Sequence, residues 1–253
     1  MLTPRVNRNL KIRWEEPFLI IDDVLENVDE FRAQLWAEGN FSHAQGSSLV
    51  PDVGPSHNWR QVLSSEKFPA EFREAIAEFQ MVAPDERTLY NTNCLFSDMK
   101  VETRRARASY YPHSDWHGEG EIPIVFNLWL HDGGGGTGFF TYDGHHSLSS
   151  MSPELRHFAE NYIDASSENL DEGSALQAYN SDFRGNDEWK LWKVAEMKKN
   201  RAFVYCGDLW HRVLIPRGEF TYPNARYSFV AFSKGGSDRF LDQSGARKLL
   251  AQI

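Results

Sequence analysis

The sequence predicts a mainly β protein with flanking helices, built around a double-stranded β-helix of the jelly-roll, cupin-like kind. Two observations favour this fold class. The second half contains many short segments of strand character that turn residues separate, a pattern typical of antiparallel jelly rolls. In addition, residues 122–130 are apolar at nearly every position, as expected for a strand that is covered on both faces. We therefore place this segment in the core sheet.

The first hundred residues are predicted to support this core. Residues 18–21 have strand character, and apolar residues recur at helical spacing in 27–38 and 69–79. Residues 45–56 are rich in Gly, Ser and Pro and are predicted to form a loop. The side chains expected on the buried faces of the two helices are Val28, Phe31, Leu35, Trp36, Phe72, Ile76 and Phe79.

The second half supplies the remaining elements. Glycines 133–136 predict a tight turn, and Ser152 followed by Pro153 predicts the start of a helix over 152–164. Residues 165–186 are polar and acidic, which suits either a lid or a solvated surface loop. The predicted strands of this half are 88–111, 122–130, 138–142, 189–198, 201–206, 210–215 and 225–233.

The length of the chain favours a single domain over 1–253. With 253 residues, of which 41% are hydrophobic and 13% aromatic, the chain can bury one sizeable core. We expect residues 1–95 to support a jelly-roll core at 96–235 that carries an insertion near 145–188. Residues 236–253 are expected to form a C-terminal tail or helix.

Charge and composition exclude several classes of function. A net charge of −9 and a pI near 5.5 argue against nucleic acid as a partner, because phosphate binding depends on clustered Lys and Arg. No apolar run approaches the roughly 20 residues that span a bilayer, and residues 1–9 have no apolar signal core. We therefore expect a cytoplasmic protein that acts on a small molecule without a membrane partner, its two cysteines, Cys94 and Cys206, being reduced. The oligomeric state is left open.

A candidate metal site is the most informative motif. His113 and Asp115 are two residues apart, so on an extended strand both side chains point to the same side. His211, far downstream on another predicted strand, can complete the set. Two imidazoles and one carboxylate on one face of an ion suit non-haem Fe(II) in oxygenases, because this arrangement leaves positions open for oxygen and an organic cosubstrate. The sequence thus favours an oxygen-activating enzyme.

Other histidines are reserve ligands. His117 has the same strand parity as His113, but the glycines around it indicate the exit of the strand. His131, His145 and His146 flank predicted turns, and we expect them to be solvated or hydrogen-bonded.

A candidate anion clamp follows the second histidine. Arg226 and Ser228 are also two apart, and residues 216–224 contain the Pro, Gly and Asn of a connection. A hairpin there would bring Arg226 beside the strand of His211. A guanidinium binds a carboxylate through two parallel hydrogen bonds, and a nearby hydroxyl adds a third, which suits the far carboxylate of an oxo-diacid. A solvated or carboxylate-paired arginine is the alternative.

These residues resemble the iron(II)/2-oxoglutarate-dependent dioxygenase superfamily, particularly its prolyl 4-hydroxylase-like branch. The resemblance covers about 104–233 and includes the strand at 126–130, followed by a glycine turn and a Thr-x-Phe strand. It implies a double-stranded β-helix, Fe(II) held by His113, Asp115 and His211, and consumption of O2 and 2-oxoglutarate. It further implies a clamp of Arg226 and Ser228 for the far carboxylate of 2-oxoglutarate. The long separation of the second histidine from the first pair departs from the compact pattern of the superfamily.

Three further groups of residues have expected roles at this site. Asn127 shares strand parity with Trp129 and is a candidate for cosubstrate binding, with a buried asparagine satisfied by the backbone as the alternative. Arg107 is a candidate for substrate binding, although a solvated basic edge explains it as well. Trp116 and Trp210 adjoin the ligands and are candidates for the pocket wall, or for the core.

The resemblance also sets expectations for the reaction. Related halogenases have Gly or Ala at the carboxylate position, and Asp115 therefore favours hydroxylation over chlorination. We expect the substrate to be an amino acid or a small natural-product intermediate, with a peptide or protein side chain as the alternative.

Two alternatives come from other classes of protein. Two histidines and an aspartate can hold zinc in a hydrolase, although Arg226 would then lack a role. A non-catalytic cupin-like binding module would retain the sandwich without a reaction. The match of Gly133, Gly135 and Gly138 to a dinucleotide-binding fingerprint is rejected, because the following residues predict a strand where that motif requires a helix.

Overall fold

The computed structural model describes most of the chain. The residues described are 1–38, 42–43, 58–83, 88–95, 112–116, 120–153, 155–156, 187–216, 219–220 and 224–234. The predictions for the loop at 45–56, the segment at 165–186 and the C-terminal tail lie outside these residues, as does Arg107.

Strands dominate the described residues. The strands are β1 Lys11–Glu15, β2 Phe18–Asp22, β3 Ser42–His43, β4 Asn58–Leu63, β5 Leu89–Leu95, β6 Pro123–Trp129, β7 Gly136–Tyr142, β8 Trp189–Glu196, β9 Ala202–Cys206, β10 His211–Leu214 and β11 Arg226–Lys234. The α-helices are α1 Val28–Ala37 and α2 Ala70–Phe79, and short 3-10 helices lie at Ser65–Lys67 and Leu148–Ser150. No helix in this part of the chain is long and apolar enough to cross a membrane.

The strands form two antiparallel sheets. The larger sheet has eight strands in the order β1-β2-β9-β6-β11-β5-β4-β3, and the smaller has three in the order β10-β7-β8. Neighbouring strands of both sheets pair antiparallel throughout the described residues, so the predicted mainly β architecture of antiparallel strands is confirmed. The apolar segment predicted for the middle of the core is β6, which lies between β9 and β11.

The two helices cover one face of the larger sheet. Phe229 of β11 packs against Phe31 of α1 at 5.6 Å and against Phe72 of α2 at 5.7 Å between ring centroids. The predicted helices and six of the seven side chains expected to be buried are confirmed. Trp36 is the exception and is 49% exposed. At about 100° per residue, it lies on the flank of the apolar arc that contains Phe31, and its ring meets Tyr227 edge-on.

The smaller sheet covers the other face. Phe139 of β7 lies with its ring centroid 5.1 Å from Phe18 and 5.3 Å from Tyr205, both of which belong to the larger sheet. Residues that pair in register share a face, and Asn127 pairs with Phe203 while Val125 pairs with Tyr205. The interior between the sheets is therefore lined by alternate residues of β6 and β9.

Strand β11 continues this interior face. Ser228 pairs with Trp129, and the ring of Trp129 stacks on Phe203 at 4.7 Å. Ser228 and, two residues earlier, Arg226 thus face the smaller sheet. Polar side chains of β11 consequently meet the same interior as Tyr205.

The predicted hairpin between the strands of His211 and Arg226 is wrong. Strand β10 belongs to the smaller sheet, whereas β11 lies between β6 and β5 in the larger one. The connection over 216–224 is long enough to carry the chain from one sheet to the other, which a two-residue turn would have prevented. Arg226 therefore faces the strand of His211 across the interior instead of lying beside it.

The predicted helix after residue 151 begins as expected. The backbone N–H of Leu155 donates to the hydroxyl of Ser152 at 3.2 Å, which is the bond of an N-cap residue. Residues 157–164 of that predicted helix lie outside the described part.

Candidate metal centre

Two histidines and one aspartate converge between the sheets. The ligand atoms of His113, Asp115 and His211 all lie within 4.8 Å of one another. Ligands about 2.1 Å from one ion lie at most about 4.2 Å apart, so small side-chain rotations bring all three onto a single ion. The grouping expected from the sequence is therefore present in the described structure.

The backbone fixes this convergence. The N–H of His113 donates to the carbonyl of His211, and the N–H of His211 donates to the carbonyl of His113, each at 2.9 Å. The N–H of Asp115 donates to the carbonyl of Gly207 at 2.7 Å. His113 thus lies in an isolated antiparallel bridge, and not in a longer strand as expected. The alternation that turns His113 and Asp115 to one side persists in this extended segment.

The hydrogen bonds of His211 determine which ring nitrogen can bind a metal. Its Nδ1 lies 2.9 Å from the carbonyl oxygen of Leu209, and a carbonyl can only accept. The proton of the neutral ring is therefore on Nδ1, which leaves the lone pair on Nε2, the nitrogen that lies 3.3 Å from Oδ2 of Asp115. A ligand histidine is commonly oriented by such a bond to a carbonyl.

The charge of Asp115 favours a cation at this position. Burial alone would lower the pKa of His211, but the carboxylate of Asp115 raises it, and the net pKa lies above the ordinary 6.5. The side chain of His211 is 7% exposed and that of Asp115 is 22% exposed, so water screens the attraction only partly. A metal ion placed between them would satisfy the same attraction.

Tyr205 is a site residue that the sequence reasoning missed. Its hydroxyl lies 3.3 Å from Oδ2 of Asp115 and 3.1 Å from Nε2 of His211. Burial, followed by the negative charge of Asp115, raises the pKa of Tyr205 well above its ordinary value, so the side chain is a neutral phenol and a hydrogen-bond donor. The available signal was its position on the predicted strand at 201–206, immediately before the turn that leads to His211.

Arg226 brings a positive charge into the same interior. It is 1% exposed, and its Nη2 donates to the carbonyl of Gly136 at 3.3 Å. Its charge also acts on Tyr205, where it lowers the pKa, although burial and the charge and hydrogen bond of Asp115 raise the pKa by more. The guanidinium therefore lies within electrostatic range of the tyrosine that contacts the ligand cluster.

Three neutral polar atoms surround this region without a hydrogen-bond partner in the described structure. They are Oδ1 of Asn127, Nε1 of Trp129 and Oγ of Ser228, and all are buried. Buried polar groups in proteins nearly always have a partner, and each exception requires an explanation. A polar ligand bound against this face of the sheet would provide one.

Trp116 and Trp210 are the described residues among those expected at the substrate pocket. Trp116 is partly buried, and its Nε1 donates to the carbonyl of Gly120, while Arg156 lies over its ring at 5.6 Å. Trp210 is buried in a second apolar cluster, where its ring meets Trp189 edge-on at 5.0 Å. A role for Trp116 or Trp210 in substrate binding stays a prediction.

The reserve ligands lie apart from the cluster. Nε2 of His131 accepts from the backbone N–H of Tyr227 at 2.7 Å, and burial lowers the pKa of His131, which agrees with a neutral acceptor. The backbone of His145 pairs with Tyr142 in a turn, and the ring of His146 lies 4.3 Å from Trp192. His117 lies outside the described residues.

This arrangement can hold one divalent ion through three protein groups. The imidazoles supply borderline nitrogen donors, and the carboxylate supplies a hard oxygen and a negative charge. Because all three approach from the walls of the interior, the remaining positions of the ion would be available to oxygen or to another ligand.

Comparison with solved structures gives matches of low sequence identity. HygX from Streptomyces hygroscopicus, solved with nickel and 2-oxoglutarate bound, is 15% identical over 87% of this chain and 83% of its own, with a TM-score of 0.46. EvdO2 from Micromonospora carbonacea var. aurantiaca is 14% identical over 86% of each chain, with a TM-score of 0.42. AviO1 from Streptomyces viridochromogenes Tue57 is 12% identical over 85% of this chain and 88% of its own, with a TM-score of 0.39.

Sequence comparison identifies a family. No curated protein matches the chain significantly. The model of one protein family, DUF6445, matches residues 3–226, which include both histidines, the aspartate and the arginine of the site. The chain therefore belongs to DUF6445, a family of unknown function.

Proposed function

We propose that this protein is an Fe(II)- and 2-oxoglutarate-dependent oxygenase. The observation that carries the proposal is the convergence of His113, Asp115 and His211 within 4.8 Å, in an interior that also buries Arg226. The proposed reaction is hydroxylation of an unactivated C–H bond in an amino acid or a small natural-product intermediate. A peptide or protein side chain is the alternative substrate of the same reaction class.

The proposal includes a finer description of the fold. Two antiparallel sheets with the ligand cluster between them support a double-stranded β-helix, because such a fold encloses its site between two facing sheets. Membership of the prolyl 4-hydroxylase-like branch is proposed on the motifs of β6, the glycine turn and β7.

The three ligands have distinct roles in this proposal. His113 and His211 bind as neutral imidazoles, and the bond from Nδ1 of His211 to Leu209 holds that ring in the required tautomer. Asp115 supplies the negative charge that helps to retain a divalent ion. When bound, iron supplies oxygen activation coupled to the oxidative decarboxylation of 2-oxoglutarate to succinate and CO2. A carboxylate at position 115 favours hydroxylation over halogenation.

Arg226 and Ser228 are proposed to bind the far carboxylate of 2-oxoglutarate. A cation that is 1% exposed is stabilised by an anion held in the correct geometry, and a guanidinium offers two parallel donors to a carboxylate. The buried hydroxyl of Ser228 would supply a further bond to the same group. Asn127, on the neighbouring strand, is proposed to bind the cosubstrate by donating from its side-chain amide nitrogen.

The arginine separates this proposal from a zinc hydrolase. A hydrolase needs only a metal-bound water and a general base at such a cluster. An arginine buried on the interior face, beside three buried polar atoms, has a direct use in holding a dicarboxylate.

Succinate formation tests the proposal directly. Protein purified without oxygen is loaded with Fe(II) and supplied with 2-oxoglutarate and O2, and succinate is measured across a panel of free amino acids, natural-product intermediates and peptides. We expect the wild-type protein to form succinate, with a stimulation by its substrate that identifies the substrate class. His211→Ala should abolish turnover, and His146→Ala, which removes a histidine outside the cluster, should retain it.

Three outcomes contradict the proposal in different ways. Tight zinc binding without consumption of 2-oxoglutarate would favour the hydrolase. Failure to bind any divalent ion would favour the cupin-like module. Succinate formation that survives the loss of His211 would place the chemistry at another site.

A further inference from the structure

We infer that Tyr205 is a positioning residue that orients Asp115 for binding the metal ion. The inference rests on the metal site of the proposed function and adds a residue to it. It assigns to the tyrosine hydroxyl the role of holding one oxygen of the carboxylate while the ion is bound by the aspartate and the two histidines.

The geometry places a single hydroxyl between two ligands. Oη of Tyr205 is 3.3 Å from Oδ2 of Asp115 and 3.1 Å from Nε2 of His211. Both distances lie within hydrogen-bonding range, and the tyrosine ring is held by Phe139 at 5.3 Å and by Phe203 at 5.3 Å. The ring stacks on Phe203 with an interplanar angle of 10°, so the hydroxyl is supported by packed aromatic residues.

The count of protons determines what the hydroxyl does when a metal binds. A phenol has one proton to donate, and without a metal both Nε2 of His211 and the carboxylate of Asp115 can accept it. Nδ1 of His211 is already committed to Leu209, so Nε2 is the nitrogen that would bind the ion. Once its lone pair is used, only Asp115 remains as an acceptor. Metal binding therefore directs the bond of Tyr205 to the carboxylate.

This bond limits the freedom of the ligand. The side chain of Asp115 is 22% exposed, so a hydrogen bond from a buried hydroxyl adds to its restraint. A hydrogen bond to one oxygen selects the rotamer that presents the carboxylate to the ion and favours binding through a single oxygen atom. Partners of this kind commonly contribute 10–100-fold to metal affinity. The packing of the ring against Phe139 and Phe203 is a separate, structural contribution that Tyr205→Phe would leave in place.

The test compares metal affinity with metal-free stability. Mn(II) is titrated into wild-type protein, Tyr205→Phe and the matched control Tyr142→Phe, whose tyrosine lies in the second apolar cluster away from the ligands. We expect the dissociation constant for Mn(II) to rise by about 10-fold in Tyr205→Phe, the lower end of the effect of such partners. Tyr142→Phe should bind like the wild type, and the melting temperature of metal-free Tyr205→Phe should match that of the control.

The outcomes separate this inference from the proposed function. If the wild type binds Mn(II) and Tyr205→Phe binds it equally well, the role of Tyr205 is wrong and the proposed function stands. If the wild type binds neither Mn(II) nor Fe(II), both fail. If Tyr205→Phe weakens Mn(II) binding and its metal-free melting temperature also falls below that of Tyr142→Phe, the tyrosine is structural and the inference fails.

A second measurement decides the case in which Tyr205→Phe does not fold. Wild-type protein labelled with ¹³C at the tyrosine Cζ atoms is titrated with diamagnetic Zn(II). Metal binding should leave the Tyr205 hydroxyl with Asp115 alone as acceptor, and this change should shift the Cζ resonance of Tyr205. If none of the nine tyrosine resonances moves while Zn(II) binds, the inference is overturned.

Discussion

His113 and His211 are joined by two reciprocal backbone hydrogen bonds of 2.9 Å, and their imidazole centroids lie 4.6 Å apart. The main chain therefore brings the two nitrogen ligands together without relying on their side chains. A donor pair of this kind is preorganised, because the conformational entropy of assembling it has been lost during folding.

The turn at Gly207 should be sensitive to any side chain. A Cβ atom there would lie 2.7 Å from Cγ of Pro123, 3.0 Å from the carbonyl oxygen of Pro123 and 3.3 Å from Cβ of Asp115. Gly207→Ala should therefore displace the aspartate segment, destabilise the fold by about 1–3 kcal/mol and weaken binding of Mn(II). Urea unfolding and metal titration check this. In the control Gly144→Ala a Cβ meets nothing within 4 Å but the φ of +79° strains the backbone, so this variant should lose stability without losing Mn(II) affinity. Unchanged metal affinity in Gly207→Ala would contradict the prediction.

Arg226 should control the affinity for 2-oxoglutarate and not that for the metal. Removing a buried, hydrogen-bonded charge partner costs about 2–5 kcal/mol, so Arg226→Met should weaken binding of 2-oxoglutarate by about 30-fold or more. Arg226→Lys keeps the charge but loses the two parallel donors and should recover only part of the affinity. Calorimetry with Mn(II)-loaded protein measures both, and an equal affinity of Arg226→Met and wild type for 2-oxoglutarate would exclude the clamp.

Ser228 should contribute less than Arg226 to the free energy of binding 2-oxoglutarate. A single neutral hydrogen bond contributes about 1 kcal/mol, or roughly fivefold in affinity. Ser228→Ala should therefore weaken binding of 2-oxoglutarate by about that factor while leaving Mn(II) affinity unchanged. If Ser228→Ala loses more affinity for 2-oxoglutarate than Arg226→Met does, Arg226 is not the larger contributor and the prediction is wrong.

The interior face and the helix-covered face of the larger sheet should differ in their effect on the site. Phe139→Ala and Phe229→Ala each remove a fully buried ring, so each should destabilise the fold by about 3–5 kcal/mol. Of these two rings, Phe139 is the one that contacts Tyr205, so the loss of Phe139 should also weaken metal binding and the loss of Phe229 should not. Denaturant unfolding followed by metal titration below the unfolding transition separates the two effects, and equal metal affinities would argue against support of the site by Phe139.

Acid should remove the stabilisation that the fold gains from the two ion pairs of Asp22. Its carboxylate lies 2.6 Å from Nε of Arg201 and 2.6 Å from Nη1 of Arg13. Burial alone would raise the pKa of Asp22, but the hydrogen bonds and charges of Arg201 and Arg13 lower it below the ordinary 3.8. Because the folded-state pKa is the lower one, this stabilisation is complete above the unfolded-state pKa of about 3.9 and is lost as the pH falls through the folded-state value.

The variant Asp22→Asn tests this pH dependence. It should be less stable than wild type at pH 7, and the difference between the two should shrink in acid. Urea unfolding at a series of pH values measures the difference, with the neighbouring, more exposed Asp23→Asn as the control. A difference that stays constant down to acid pH would contradict the assignment.

Much of the fold follows from sequence periodicity, and the exceptions have physical causes. The apolar run that became β6 and the spacing of His113 and Asp115 both reflect the two-residue repeat of an extended chain. The crossing of 216–224 between sheets was not predictable, because the same Pro, Gly and Asn residues suit a hairpin and a longer connection. Trp36 lies at the edge of an apolar arc, where a composition pattern cannot distinguish a buried from an exposed flank.

The candidate site likewise contains residues that the sequence predicts and one that it does not. The ligands were predictable because His113 and Asp115 are two residues apart, which turns both to one side of an extended segment, and because their types carry the chemistry. Tyr205 was not predictable, because a tyrosine on a strand of apolar residues has the composition of an ordinary core. Its partners are known only once the turn after β9 folds back and brings His211 against it.

The reciprocal bridge between residues 113 and 211 joins segments that lie far apart in the chain. An ion bound there would act as a removable cross-link that closes a long loop, so its binding energy would add to the stability of the folded state and be absent from the unfolded one. Chelation would then loosen the contact between the aspartate segment and the β9–β10 turn before it affected the helix-covered face. Loading with metal would in this way govern how long the assembled protein persists, as well as what it can do.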